Sequence, residues 1–105
     1  MSDRELHAVY TQRAQHDLVN IQLYGLGTWG ESGALTQQKR ILSAIDLLCR
    51  NPLMGRPRAE RAGLRSFVSK PYVIFYVVSE DEIVVQTILH HNMDLQRIIE
   101  SSEAQ

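Results

Sequence analysis

An α+β fold in the order β-α-α-β-β-β is predicted by three observations. A run of short strand-like segments follows residue 64, two amphipathic helical stretches precede residue 51, and an alternating segment opens the chain. Glu5–Tyr10 (ELHAVY) alternates polar and apolar residues and reads as the first strand. Thr11 is placed to cap the helix that follows, because its hydroxyl can accept from a first-turn amide. In that helix Ala14, Leu18, Ile21 and Gly25 recur at spacings of four, three and four, which gathers them on one stripe. Gly25, Gly27 and Gly30, with Trp29 among them, weaken the helix toward its end. Ser32 is the expected cap of a second helix, whose apolar stripe is Leu35, Ile41, Leu42, Ile45, Leu48 and Cys49, and Asn51-Pro52 stops it.

Neither helix can bury its stripe alone. The prediction is therefore an αα-hairpin packed across a small, mainly antiparallel four-stranded sheet, within a single domain spanning residues 1–105. Residues 52–63 (PLMGRPRAERAG) read as a loop. Strands are expected at Leu64–Val68, Tyr72–Val78 and Ile83–Leu89, separated by a Lys70-Pro71 break and the charged turn Ser79-Glu80-Asp81-Glu82. The Tyr72–Val78 run is apolar at almost every position, as suits a central strand covered on both faces. After Asp94, Leu95, Ile98 and Ile99 lie at helical spacing and predict a short C-terminal helix that needs a docking surface to persist.

The 105 residues carry 44% hydrophobic and 22% charged side chains, which suits one globular core and argues against disorder. No apolar run approaches the roughly 20 residues that span a bilayer, and MSDRELHAVY lacks the apolar core of a signal peptide. The lone cysteine excludes an intrachain disulfide and fits a reducing compartment, so a cytoplasmic location is expected. Net charge is −1 but unevenly placed: the segment from Lys39 to Lys70 carries +6, which leaves −7 for the rest. Such a split points to a basic face for an acidic partner.

Little in the chain suggests bond-making chemistry. Cys49 lies on the buried stripe of the second helix and reads as a small apolar filler, not a reactive thiol. Gly25-Leu26-Gly27 ends a helix instead of opening one and does not make a phosphate loop. His90 and His91 are adjacent at a strand end, so extended backbone would aim them at opposite faces, and no cluster has metal-ligand spacing. No metal and no cofactor is expected. One of the two histidines remains a candidate general base or anion contact, since histidine titrates near neutrality. The blander expectation is that one packs in the core while the other bonds a nearby turn.

Several segments taken together resemble the ParE branch of the RelE/ParE toxin superfamily, the toxin halves of bacterial type II toxin–antitoxin modules. They are Thr11-Gln-Arg-Ala14 with Asp17-Leu18, Trp29-Gly30, and Asn51-Pro52 with Gly55-Arg56-Pro57. Then come Leu64-Arg65-Ser66-Phe67, Tyr72-Val-Ile-Phe75-Tyr76 and Ile88-Leu89-His90-His91-Asn92-Met93-Asp94. The resemblance runs from about Ala8 to Arg97. It implies a toxin that is not itself an enzyme, arrests growth by inhibiting DNA gyrase, and serves functions such as plasmid maintenance. It also implies a toxin–antitoxin hetero-oligomer with a ParD-like antitoxin, no membrane association, and DNA reached only through antitoxin or gyrase.

The related RelE type cleaves mRNA on the ribosome with arginine, lysine and a C-terminal tyrosine, because a charged phosphoryl intermediate needs cations and a proton-transfer group. Against that pattern Val73 and Met93 stand where arginines are expected, and Ile99 stands near the tyrosine position. The residues implied for target contact are Arg65, His90, Asn92, Asp94 and Arg97. Those implied for antitoxin contact are Leu18, Ile21, Leu42, Ile45, Arg56, Arg58 and Arg61, with the Arg-rich stretch facing acidic antitoxin residues. Arg65 has an equally good structural role, tying a strand edge to an acid or a helix end. One departure stands out. ParE members commonly end the last strand with His-x-Arg, and this chain has Asn92 in the arginine's place. That leaves three outcomes: a weakened toxin, a contact carried by Arg97, or a different target. A ribosome-dependent ribonuclease, or an attenuated toxin that only binds antitoxin as co-repressor, are the rival readings.

Overall fold

The computed structural model describes residues 5–91. Its elements are β1 (His7–Tyr10), α1 (Gln12–Arg50), β2 (Arg56–Pro57), β3 (Leu64–Ser69), β4 (Tyr72–Val78) and β5 (Glu82–His90). The strands form one five-stranded mixed sheet in the order β1-β5-β4-β3-β2. β1 runs parallel to β5, and every other neighbouring pair is antiparallel. The sheet thus has one strand more than the four expected. Arg56–Pro57 lies within the expected loop, because a two-residue edge strand containing proline leaves no alternation to detect. The predicted C-terminal helix lies outside the described residues.

The helical region also differs from expectation. In place of two helices with a separate cap at Ser32, the chain forms one helical segment, Gln12–Arg50, broken at Gly30 alone. Gly30 adopts φ 77° and ψ −176°, a backbone that costs glycine little and L side chains much. A straight helix of this length would extend about 58 Å. The largest dimension of the molecule is 42 Å, so the break at Gly30 redirects the chain sharply. Residues 12–29 and 31–50 then form two arms in contact: a Cβ on Gly25 would meet the Ala34 Cβ at 3.1 Å, and Ile21 and Ile41 share one core cluster. Ser32 is helical, and its carbonyl accepts from Thr36 Oγ1.

Thr11 caps the first arm as predicted, with Oγ1 accepting from the Ala14 amide at 3.1 Å. The same hydroxyl donates to the Gln86 carbonyl at 2.7 Å, so one side chain caps the helix and pins it to β5. Gln86 sits at a register shift: Phe75 pairs with Thr87, but Tyr76 pairs with Val85. Inserting one residue into the period-2 pattern switches the face that side chains point to. Ile83 and Val85 face the helical arms before the shift, and Ile88 faces them after it.

Both faces of β4 are used. Tyr72, Ile74 and Tyr76 pack with Ala14, Ile21, Ile41, Ile45 and Leu48 on the helical side. Phe75, with Val73 and Val77 beside it, joins Leu64 and Leu89 on the other. Cys49 is a buried member of the main core, and burial pushes its thiol pKa up, which disfavours the reactive thiolate. Among the described residues no helix is long and apolar enough to cross a membrane.

Candidate functional site

The residues that bear on a site divide into three groups, and the first is structural. Arg65 extends from β3 to the loop after α1, where Nη1 donates to the Gly55 carbonyl at 2.6 Å and the Leu53 carbonyl at 3.3 Å. The fully buried Tyr76 grips the same loop, its hydroxyl donating to the Pro52 carbonyl at 2.7 Å and accepting from the Gly55 amide at 2.9 Å. Burial raises the pKa of this phenol, so it stays protonated and able to donate. The fit leaves no room for a side chain at residue 55. A Cβ there would lie 2.5 Å from the Tyr76 hydroxyl and 2.8 Å from the Ser66 carbonyl oxygen. Arg65 is therefore engaged with backbone carbonyls and acts as a loop anchor, the structural role that the sequence offers beside target contact.

Ile21 and Ile45 are corrected from antitoxin contacts. They lie in the core at 8% and 2% exposure, because the faces that carry them are the ones that pack on the sheet. Leu18 is half-buried against the same cluster, whereas Leu42 is exposed. Arg58 makes a two-point pair with Glu60, Nε to Oε1 at 3.1 Å and Nη2 to Oε2 at 2.7 Å, while its guanidinium lies 5.5 Å from the Phe75 ring centroid. It covers the open face of the sheet, and its hydrogen bonds hold the Glu60 carboxyl below its ordinary pKa. Arg56 and Arg61 are exposed and stay available to a partner.

The second group surrounds His90. Its ring meets Tyr72 edge-to-face at 5.8 Å and stacks on His91 at 4.5 Å. Stacking contradicts the expectation of opposite faces. His91 lies just past the strand end, where the backbone is a turn, and its amide and Nδ1 both approach the Pro71 carbonyl, at 2.9 and 3.1 Å. His90 lines a pocket of about 460 Å3 between the first arm and the end of the sheet, with Asp17, Tyr24, Tyr72 and Ile88. Asp17 fixes one wall. Its Oδ2 accepts from Thr87 Oγ1 at 2.5 Å and from the Ile88 amide at 3.0 Å, and Oδ1 pairs with Arg13 at 3.5 Å. Among the described residues no three His, Cys, Asp or Glu gather where they could hold a metal ion. Asn92, Asp94 and Arg97 lie outside the described residues.

The third group, Leu42 apart, is not among the residues that the sequence points to. On the first arm Ala14, Leu18, Ile21 and Gly25 face the core as predicted. Val19, Leu23 and Leu26, at spacings of four and three, form a second stripe on the opposite side and are 53%, 61% and 42% exposed. Leu35 and Leu42 of the second arm, and the Tyr24–Trp29 edge-to-face pair near the bend, are exposed as well. Leu26 and Leu35 line a cleft of about 490 Å3 between the arms. The 19, 23, 26 spacing is the sequence signal for this stripe, set on a helix whose other face is also apolar.

The chain matches the ParE toxin of type II toxin-antitoxin systems (parDE) over residues 8–95 and belongs to that family. It is 36% identical over 67 residues to Toxin ParE3 of Caulobacter vibrioides, a span covering 63% of this chain and 67% of that toxin. Its fold is similar to that of a solved chain of the chromosomal ParDE TA system from P. aeruginosa. The TM-score is 0.72 at 23% sequence identity, covering 82% of this chain and 96% of the other.

Proposed function

We propose that this ParE-family toxin acts by binding DNA gyrase in the cytoplasm, without cleaving bonds itself, and is neutralised by a ParD-like antitoxin that covers its helical arms. The observation that carries the partner half of this reading is the second apolar stripe of Val19, Leu23 and Leu26. The part of these leucine and valine side chains that faces water contributes no burial to the monomer. Burying them against a partner would recover about 25 cal/mol for each Å2 covered. Helix-in-groove or wrap-around recognition uses such faces.

Binding as the mode of action is favoured over cleavage by Val73. Where a ribonuclease of the related type would need a strand cation, this chain has an aliphatic side chain packed beside Phe75 and Leu89. The pocket beside His90 is the candidate for target contact, with Tyr24 and Tyr72 offering large apolar surfaces that carry polar tips.

The test is expression of the chain alone and with its antitoxin, followed by a gyrase supercoiling assay with purified toxin. Growth arrest relieved by the antitoxin and loss of supercoiling are expected. Full supercoiling at excess toxin would remove the gyrase target. Cuts at the ribosomal A site in primer extension would replace binding with nuclease action.

A further inference from the structure

The pocket between the first arm and the end of the sheet has a definite electrostatic sign. Among the described residues that line it, Asp17 carries the only carboxylate, and His90 apart none can carry a positive charge. Asp17 Oδ2 accepts from the Thr87 hydroxyl and the Ile88 amide, which fixes the direction of the group. Oδ1 meets Arg13 Nε at 3.5 Å, beyond the range of a good hydrogen bond. A carboxylate oxygen accepts two hydrogen bonds, so Oδ1 has acceptor capacity to spare. Arg13 itself does not line the pocket, and its approach marks this carboxylate as one that attracts a guanidinium.

The Tyr72 hydroxyl adds an independent observation. The residue is 4% exposed, yet its hydroxyl forms no hydrogen bond among the described residues, whereas the hydroxyl of buried Tyr76 forms two. Burial pushes the Tyr72 pKa up, and the nearby Tyr24 phenol adds to the shift, so the group is a neutral phenol with lone pairs to offer. A buried polar group without a partner is costly, and a ligand that supplies a donor removes the cost. The Tyr72 and His90 rings meet at 88° and form a corner of the pocket, with the exposed Tyr24 as a further aromatic wall.

These features select among side chains. An anion would meet the Asp17 charge. A wholly apolar side chain would seal Asp17 Oδ1 and the Tyr72 hydroxyl away from any donor. An ammonium would have to give up a strongly held water shell. A guanidinium has five donors and no acceptor, is weakly hydrated, and stacks on aromatic rings.

We infer that this pocket seats an arginine side chain of the toxin's target, its N–H groups on Asp17 Oδ1 and the Tyr72 hydroxyl, its plane against Tyr24 and its stem along Ile21 and Ile88. The inference rests on the target reading of the pocket given above and adds the chemistry of the residue it receives.

The test titrates N-acetyl-arginine amide into isotope-labelled full-length toxin, followed by NMR, with N-acetyl-citrulline amide as the neutral isostere. Saturable shifts of the Asn20, Tyr24 and Ile88 amides are expected with the arginine probe. Affinity should fall about tenfold with citrulline, and about as much in Asp17→Asn toxin. Asp17→Asn keeps an acceptor for Thr87 and the Ile88 amide, Tyr24→Ala removes an exposed ring, and circular dichroism confirms both folds. In the gyrase supercoiling assay each variant should need roughly tenfold more toxin for half-inhibition than wild type. Equal binding of citrulline, or shifts confined to other surfaces, overturns the inference. Wild-type potency in both variants also overturns it and leaves the gyrase reading standing. Full supercoiling with wild-type toxin removes the gyrase reading, while the probe titration still decides what the pocket takes. Release of the arginine probe by the antitoxin would reassign the pocket to the antitoxin and overturn the inference.

Discussion

The loop after α1 and the outer face of the first arm show opposite uses of side chains. At the loop, Tyr76 and Arg65 reach from two strands to hydrogen-bond Pro52, Leu53 and Gly55. On the arm, Val19, Leu23 and Leu26 keep much of their apolar surface in water, at 53%, 61% and 42% exposure. Arginine and tyrosine, often taken as marks of an interaction site, here hold the fold together, and the plain aliphatic residues are the ones left for a partner. Residue type alone misleads; which groups are already matched decides.

The contrast is broken first at its strongest point. Replacing Tyr76 by Ala should cost about 3–5 kcal/mol of unfolding free energy, read by urea denaturation, through the cavity and the two orphaned backbone groups. Tyr76→Phe isolates the polar part at about 1–3 kcal/mol, and Gly55→Ala should lose a similar amount through overpacking against the Tyr76 hydroxyl and Ser66 carbonyl. Asp17→Ala comes next, at about 1.5–3 kcal/mol, because it leaves Thr87 and the Ile88 amide at the bulged strand without their charged acceptor.

Glu60→Gln is smaller still, under about 1 kcal/mol at neutral pH, as for other partly exposed pairs. Its sign with pH is definite. The folded-state pKa of Glu60 is depressed by the Arg58 hydrogen bonds, so its stabilisation is present above the unfolded value of about 4.3 and lost as pH falls through the folded value. Urea midpoints of wild type and Glu60→Gln should converge on acidification. Leu23→Ser on the outer stripe should be smallest, within about 0.5 kcal/mol, since its side chain is already in water. A loss comparable to that of Tyr76→Phe would show the stripe to be part of the fold.

The same contrast explains what could be read in advance. Thr11, the core-facing stripe of the first arm, Cys49 and the double-sided β4 were legible, since each depends on local spacing or on a run of one residue class. The break at Gly30 was indicated by the glycine cluster, but not the single residue at which helical backbone is interrupted. The bulge at Gln86 was not legible: it is an insertion relative to β4, and its only trace is a change of face between Val85 and Ile88. The role of Arg65 depends on two carbonyls, of Leu53 and Gly55, being brought under it from earlier in the chain, which no periodicity encodes. His90 and His91 stack because the strand ends between them, and an assumption of extended backbone carried one residue too far gave the opposite geometry.

The most direct measurement is calorimetric titration of antitoxin into a Leu23→Glu/Leu26→Glu toxin, with unfolding midpoints of the free proteins alongside. An unchanged midpoint with binding weakened about 100-fold or more is expected, because two charges would have to be buried on an apolar contact. Wild-type affinity in that variant would contradict the assignment of the outer helical face to the antitoxin.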